Sequence, residues 1–276
     1  MSGFTGSDPL FSMRRVIFIT GTGTGVGKTV LTALLLSHLR REGHDALAIK
    51  PFCCGSRNDA RLLQGLQKDA MTLGQTNPFF FKRPLAPWVE AREKRAAQIP
   101  LPEVLRKIRA INRRARIVLL EGCGGVLVPL GDGYGIGDLM REMVFNHAGT
   151  QCNIIAVAPN CLGTINHTLL TAKYLQSIGI KELVVVMMGQ KRPDLSSRSN
   201  VHAIGELMPG VPVHLLPYLG EGASNIAVVK QNAKYLKKML AQVLDSVKLA
   251  TVPSKWKGDC NSKSCGPSKQ VPETPI

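Results

Sequence analysis

The run Gly21-Thr22-Gly23-Thr24-Gly25-Val26-Gly27-Lys28-Thr29 sets glycines, a lysine and a hydroxyl in an order suited to gripping a chain of phosphates. Glycines bracket a short turn ahead of the Lys-Thr pair, which is the pattern of a phosphate-binding loop. Such a loop turns its backbone N–H groups inward around anionic oxygens, and a helix starting at its end adds a positive pole. Lys28 is then expected to reach the outer phosphates, and the Thr29 hydroxyl to ligate magnesium. Gly23, Thr24, Gly25, Val26, Gly27, Lys28 and Thr29 are therefore the candidate nucleotide-binding residues, with a nucleoside triphosphate as the ligand.

Two carboxylates stand where a magnesium ion at that loop can use them. Asp59 follows the second expected strand, and Glu121 ends the strand Ile117 to Leu120. Carboxyl ends of parallel strands converge on one crevice, so Asp59 and Glu121 are expected to complete an oxygen shell with Thr29, phosphate and water. Taken alone, Asp59 also reads as an ordinary helix cap. Lys50 closes the second strand ahead of Pro51, which puts a second ammonium at the same edge, suited to neutralising charge on a transferred phosphoryl group or an anionic acceptor. Gly163-Thr164-Ile165-Asn166-His167 opens a further helix, whose N–H groups suit a carboxylate or serve only as a cap.

Elements must bring these groups together, and the apolar pattern supplies them. Arg15 to Thr20 reads as a buried strand and Val30 to Leu39 as a helix; Ala46 to Lys50, Ile117 to Glu121, Asn153 to Ala158 and Leu183 to Met188 read as further strands. Helical patterns over Asp59 to Leu66, Asn166 to Leu175 and Val201 to Leu207 alternate with them. The expected fold is α/β, a single doubly wound, mostly parallel sheet with helices on both faces. Phe79 to Pro87, with three phenylalanines and two prolines, breaks the rhythm and is expected to lie over the carboxyl edge as a site wall. One final amphipathic helix is expected from Ala227 to Val247. Residues 1–13 read as an N-terminal extension, 14–247 as the folded domain and 248–276 as a disordered basic tail.

The chain has 276 residues, 44% hydrophobic and 20% charged, which excludes a fibrous or largely disordered protein. Its longest apolar runs are too short to span a bilayer, and the polar start carries no secretory pattern, so a cytoplasmic protein without a membrane partner is expected. The formal charge of +16 favours anionic partners. Nine basic residues between Arg92 and Arg116, against Glu93 and Glu103, are expected on one solvated surface helix. The stretch has few aromatics and matches no nucleic-acid module, so no nucleic acid is expected. Seven scattered cysteines read as reduced thiols, with Cys260 and Cys265 as tail residues.

The motifs together resemble dethiobiotin synthetase, over roughly Val16 to Leu219. The resemblance is carried by Thr20 to Thr29, Lys50-Pro51 with Gly55-Ser56, and Asn58-Asp59-Ala60. It extends through Asn77-Pro78-Phe79 with Pro84 to Pro87, Glu121-Gly122-Cys123-Gly124-Gly125 with Val128-Pro129-Leu130 and Asp138, and Leu162 to His167 with Leu170-Thr171. It implies a domain of P-loop NTPase type in a homodimeric, magnesium-dependent cyclo-ligase using ATP, carbon dioxide or bicarbonate, and 7,8-diaminopelargonic acid. Residue by residue, it implies phosphate contacts from Lys28 and Thr24, nucleotide contacts from Glu121 and Gly124, magnesium held by Thr29, Asp59 and Glu121, and a carbamate oriented by Lys50 with Cys54 beside it. Gly163, Thr164 and Asn166 would receive the substrate's tail carboxylate from the neighbouring subunit.

Three positions depart from that pattern: Gly25, where some members carry a glutamate; Cys54, where a hydroxyl is usual; and Met187-Met188-Gly189-Gln190, which replaces an Asn-Asp segment that reads adenine. One rival is a partition-type or adaptor ATPase, whose distinguishing lysine before the central glycines has no counterpart between Val16 and Val26. Another is a glutamine-dependent amidase relative, for whose extra domain the residues after Val247 leave no room. A third is a nucleotide-binding homologue that has lost catalysis, which Lys28, Lys50, Asp59 and Glu121 disfavour.

Overall fold

Alternating side chains in each central strand feed two separate apolar cores, so both faces of the sheet must be covered. In the computed structural model, which describes residues 14–146 and 149–248, β1 (Arg14–Gly21) sends Val16 and Phe18 to one core and Ile17 and Ile19 to the other. The chain continues through α1 (Lys28–Arg41), β2 (Ala46–Ile49), β3 (Phe52–Cys54), α2 (Asn58–Leu66), α3 (Leu73–Thr76), β4 (Phe79–Phe81), α4 (Pro87–Glu93) and α5 (Leu101–Asn112). It then forms β5 (Ile117–Glu121), β6 (Pro129–Gly131), β7 (Tyr134–Gly135), α6 (Ile136–Phe145), β8 (Thr150–Pro159) and α7 (Thr164–Ser177). The last elements are β9 (Leu183–Met188), α8 (Asn200–Leu207), β10 (Val213–Leu216), α9 (Ile226–Tyr235) and α10 (Lys237–Ser246).

Six strands form one parallel sheet in the order β10-β9-β8-β1-β5-β2. Leucines of α1 and α2 and apolar residues of α9 and α10 cover one face, while α5, α6, α7 and α8 cover the other. The register sets Ile19 of β1 beside Glu121 of β5, and Ile49 of β2 beside Leu120. The phosphate loop, Lys50 and Glu121 therefore leave the sheet at one rim.

The free edge of β2 is closed by a side chain. Gln67 accepts a hydrogen bond from Ala48 N at 2.8 Å and donates to Ala48 O at 2.6 Å, and it is fully buried. An amide thus stands in for the missing strand, satisfying backbone groups that an edge otherwise leaves open. Beyond the rim, β3 and β4 pair in parallel as a small separate sheet, with the Phe52 and Phe79 rings stacked 5.1 Å apart.

Two expectations are corrected. The final helix is two, α9 and α10, separated at Leu236. The basic stretch 92–116 is not one helix: α4 ends before Arg95, which takes a left-handed φ of 50°, and α5 starts only after Pro100, whose ring carries no N–H to continue a helix. Its cations are partly engaged, with Arg92 over the Trp88 ring, Lys94 paired to Glu90, and Arg114 donating to Ala70 O. The N-terminal extension and the tail with Cys260 and Cys265 lie outside the described residues.

Candidate active site

At the carboxyl rim, β1 runs into the phosphate loop. Gly21 and Gly27 bracket five residues, one more than the four of the common spacing. Gly25 at φ 75° and Gly27 at φ 101° take the extra turn in the left-handed region open to glycine. Gly27 also lies under Met188: a Cβ there would meet Met188 Cγ at 2.9 Å. Thr22 N donates to Val157 O at 2.9 Å, which ties the loop to β8. Lys28 folds back over its own loop and donates to Gly23 O at 2.5 Å.

Burial lowers the Lys28 ammonium to about 8. Within that net effect Glu121 opposes the drop and the neighbouring Lys50 adds to it. Lys50 has the opposite fate. It is buried, yet it pairs with Asp59, donates to Glu121 Oε1 at 2.8 Å and approaches Thr29 Oγ1 at 3.2 Å. Desolvation pulls its proton affinity down, and the two carboxylates more than reverse that, so it stays charged. Glu121 is fully buried; its Oε1 also accepts from Thr29 Oγ1 at 2.6 Å.

A cleft of about 570 Å³ opens over these groups. Thr24, Gly25, Gly27, Lys28 and Thr29 line it from the loop, and Lys50, Cys54, Asp59 and Gly124 line it from the facing elements. Pro84 to Pro87 form one wall, the proline half of the expected Phe79 to Pro87 segment, whereas Phe79 to Phe81 form β4 against β3 and do not line the cleft; Ser224 contributes from the segment before α9. Val26 is buried beneath the loop, and Glu121 stands behind Lys50 rather than on the cleft surface. Gly124, at φ 62°, passes so close to Val128 that a Cβ would meet its Cγ2 at 2.6 Å. Burial pushes the Cys54 thiol up to about 11 and Cys123 to about 12, so both are neutral thiols near pH 7.

The oxygens of Thr29, Asp59 and Glu121 converge on one cationic atom, the Lys50 nitrogen. Glu121 Oε2 is buried without a hydrogen-bond partner among the described residues. Hard oxygen donors with one spare buried lone-pair site fit magnesium. Asp59 does not act as a cap: it sits in the first turn of α2, whose N-cap position is Arg57.

Gly163, Thr164 and Asn166 do not line this cleft. They start α7 after β8, with Gly163 at φ 88° and both Gly163 and Asn166 exposed. The Thr164 amide already donates to Cys161 O at 3.2 Å, and its buried hydroxyl has no partner among the described residues. The sequence patterns assign no role to Gln67, Arg57 or Ser224, and Asn77 enters them only within Asn77-Pro78-Phe79. A polar residue on an amphipathic helix gives no sign that it faces inward to a strand edge.

Comparison with known proteins decides the family. An AAA domain model matches residues 15–244. The ATP-dependent dethiobiotin synthetase BioD of Bacillus licheniformis is 35% identical over 202 residues, covering 71% of this chain and 82% of that protein. The chain belongs to the dethiobiotin synthetase family. Family members from Akkermansia muciniphila and Corynebacterium diphtheriae are 32% and 30% identical, covering 71% and 77% of this chain and 93% and 91% of theirs. Among solved structures, the MinD cell division protein of Aquifex aeolicus superposes with a TM-score of 0.51 at 15% identity, covering 88% of this chain and all of that one. That likeness shows the fold alone, a parallel sheet flanked by helices. Among the described residues no helix is long and apolar enough to cross a membrane.

Proposed function

We propose that this protein closes the urea ring of dethiobiotin, joining 7,8-diaminopelargonic acid to carbon dioxide or bicarbonate-derived carbon dioxide at the expense of ATP in the cytoplasm. The observation that carries the reading is the meeting of Lys28 and Lys50 in one cleft, with Glu121 behind and Asp59 beside them. Membership of the synthetase family supports it.

Thr24, Lys28 and the loop amides hold the phosphates, with Gly124 at the nucleotide's edge. Thr29, Asp59 and Glu121 would hold magnesium, which when bound screens the phosphate oxygens from the incoming nucleophile. Lys50 orients the carbamate made from one substrate amine and carbon dioxide, beside Cys54. A carbamate oxygen attacks the γ-phosphorus and ADP leaves, giving a mixed carbamic-phosphoric anhydride. The second amine attacks the carbamoyl carbon, closes the ring and expels phosphate. The two ammonium groups offset charge on the transferring phosphoryl group, so catalysis is positioning and electrostatics. The wall from Pro84 to Pro87 limits water, which hydrolyses both intermediates. Gly163, Thr164 and Asn166, outside the cleft of one chain, suit the tail carboxylate of a substrate held by a second subunit, which makes a homodimer part of the reading.

Purified protein given magnesium, ATP, bicarbonate and the diamine should release phosphate only when the diamine is present. Release independent of the diamine but stimulated by DNA would instead support a partition-type ATPase.

A further inference from the structure

We propose that Arg57 and Asn77 are a positioning pair for ring closure, holding Lys50 and Asp59 in place against Glu121; this rests on the reaction proposed above. The need for such a pair follows from topology. Lys50 leaves β2 at the sheet's outer edge, where no further strand among the described residues fixes its backbone. Asn77, 1% exposed, fills that gap: its Nδ2 donates to Lys50 O at 2.9 Å, Pro51 O at 3.1 Å and Phe79 O at 3.1 Å. The Lys50 amide in turn donates to Thr76 O at 2.9 Å, one residue away from Asn77.

Arg57 grips the same asparagine by two arms. Its Nε donates to Asn77 Oδ1 at 3.0 Å and its Nη2 to Asn77 O at 2.9 Å. The guanidinium also lies over the Phe80 ring, 5.3 Å from the centroid. Arg57 is the N-cap residue of α2, and Asp59 stands two residues on in its first turn. One planar fork therefore links the backbone that presents the ammonium to the helix start that presents its carboxylate partner. A lysine keeps the charge but cannot reproduce two parallel bonds to one residue. Neither residue reaches the reacting atoms, so their effect runs through Lys50 and Asp59.

The test compares Arg57→Lys and Asn77→Ser with the parent, using Arg61→Lys on the same helix as a control. Both test variants should lower kcat about tenfold to a hundredfold, while the ATP Kd stays within about twofold, because β1 and α1 carry the phosphate loop independently. Arg61→Lys should match the parent. Hydrogen exchange should quicken in peptides covering 46–54 and 57–66 and stay unchanged over 28–41. Parent-like kcat in Arg57→Lys, unchanged exchange over 46–54, or loss only in step with ATP affinity would each overturn the proposal. If the parent shows no diamine-dependent phosphate release, the reaction itself is refuted, and exchange alone then decides whether the pair holds Lys50.

Discussion

Glu121 and Lys50 meet at 2.8 Å across the ends of adjacent parallel strands, and the carboxylate that receives the ammonium is wholly buried. A buried ion pair is not by itself a source of stability, but removing one partner strands the other. Lys50→Met should therefore destabilise the fold by about 3–5 kcal/mol, measured by urea denaturation. It should also abolish turnover. Without the ammonium, Asp59 and Glu121 face each other across an uncompensated site, so millimolar magnesium should recover part of the lost stability in Lys50→Met and little in the parent. A variant as stable as the parent would contradict this account of the pair.

Burial disfavours the charge on Lys28 and lowers its ammonium to about 8. A bound triphosphate favours the charged form, so binding above that pH must take up a proton. Apparent ATP affinity should be about tenfold weaker at pH 9 than at pH 7. Calorimetry in buffers of different ionisation enthalpy should register proton uptake of about one half at pH 8. Lys28→Ala should lose both the uptake and most of the affinity, whereas uptake persisting in that variant would move the titration to another group.

Gln67 closes the β2 edge with both ends of its amide. Gln67→Leu has similar bulk but leaves Ala48 N and O buried without partners. The loss should be about 2–4 kcal/mol, counting about 1–2 for each orphaned group. Thermal denaturation gives the check; a change below about 0.5 kcal/mol would mean that water replaces the side chain.

Gly27→Ala faces two penalties at once, a left-handed φ of 101° and a Met188 Cγ only 2.9 Å from the new methyl. Stability should fall by about 1–3 kcal/mol, and ATP affinity should fall with it as the loop shifts. Gly25→Ala meets no atom of the described residues within 4 Å, so it carries the backbone strain alone and should lose less stability. Equal losses in the two variants, by calorimetry, would show that the Met188 contact yields freely.

The phosphate loop, the alternation of strands and helices, and the rim shared by Lys28, Lys50, Asp59 and Glu121 were legible because each depends on local spacing or on strand direction. The basic run from Arg92 to Arg116 misled because charge content says nothing about where a proline or a left-handed residue interrupts a helix. Likewise Leu236 breaks the last helix within an unbroken apolar periodicity.

The amino-acid order alone determined the phosphate-loop sequence and which strand ends carry Lys50 and Glu121. Only the folded chain decided how those groups share one another. Among the described residues Lys50 sits among three oxygens, Glu121 keeps one oxygen unpaired, and Asn77 and Gln67 secure an edge that no strand covers. The reason is physical: spacing along a chain fixes local conformation, whereas burial, proton affinity and partnership depend on residues brought together from distant positions.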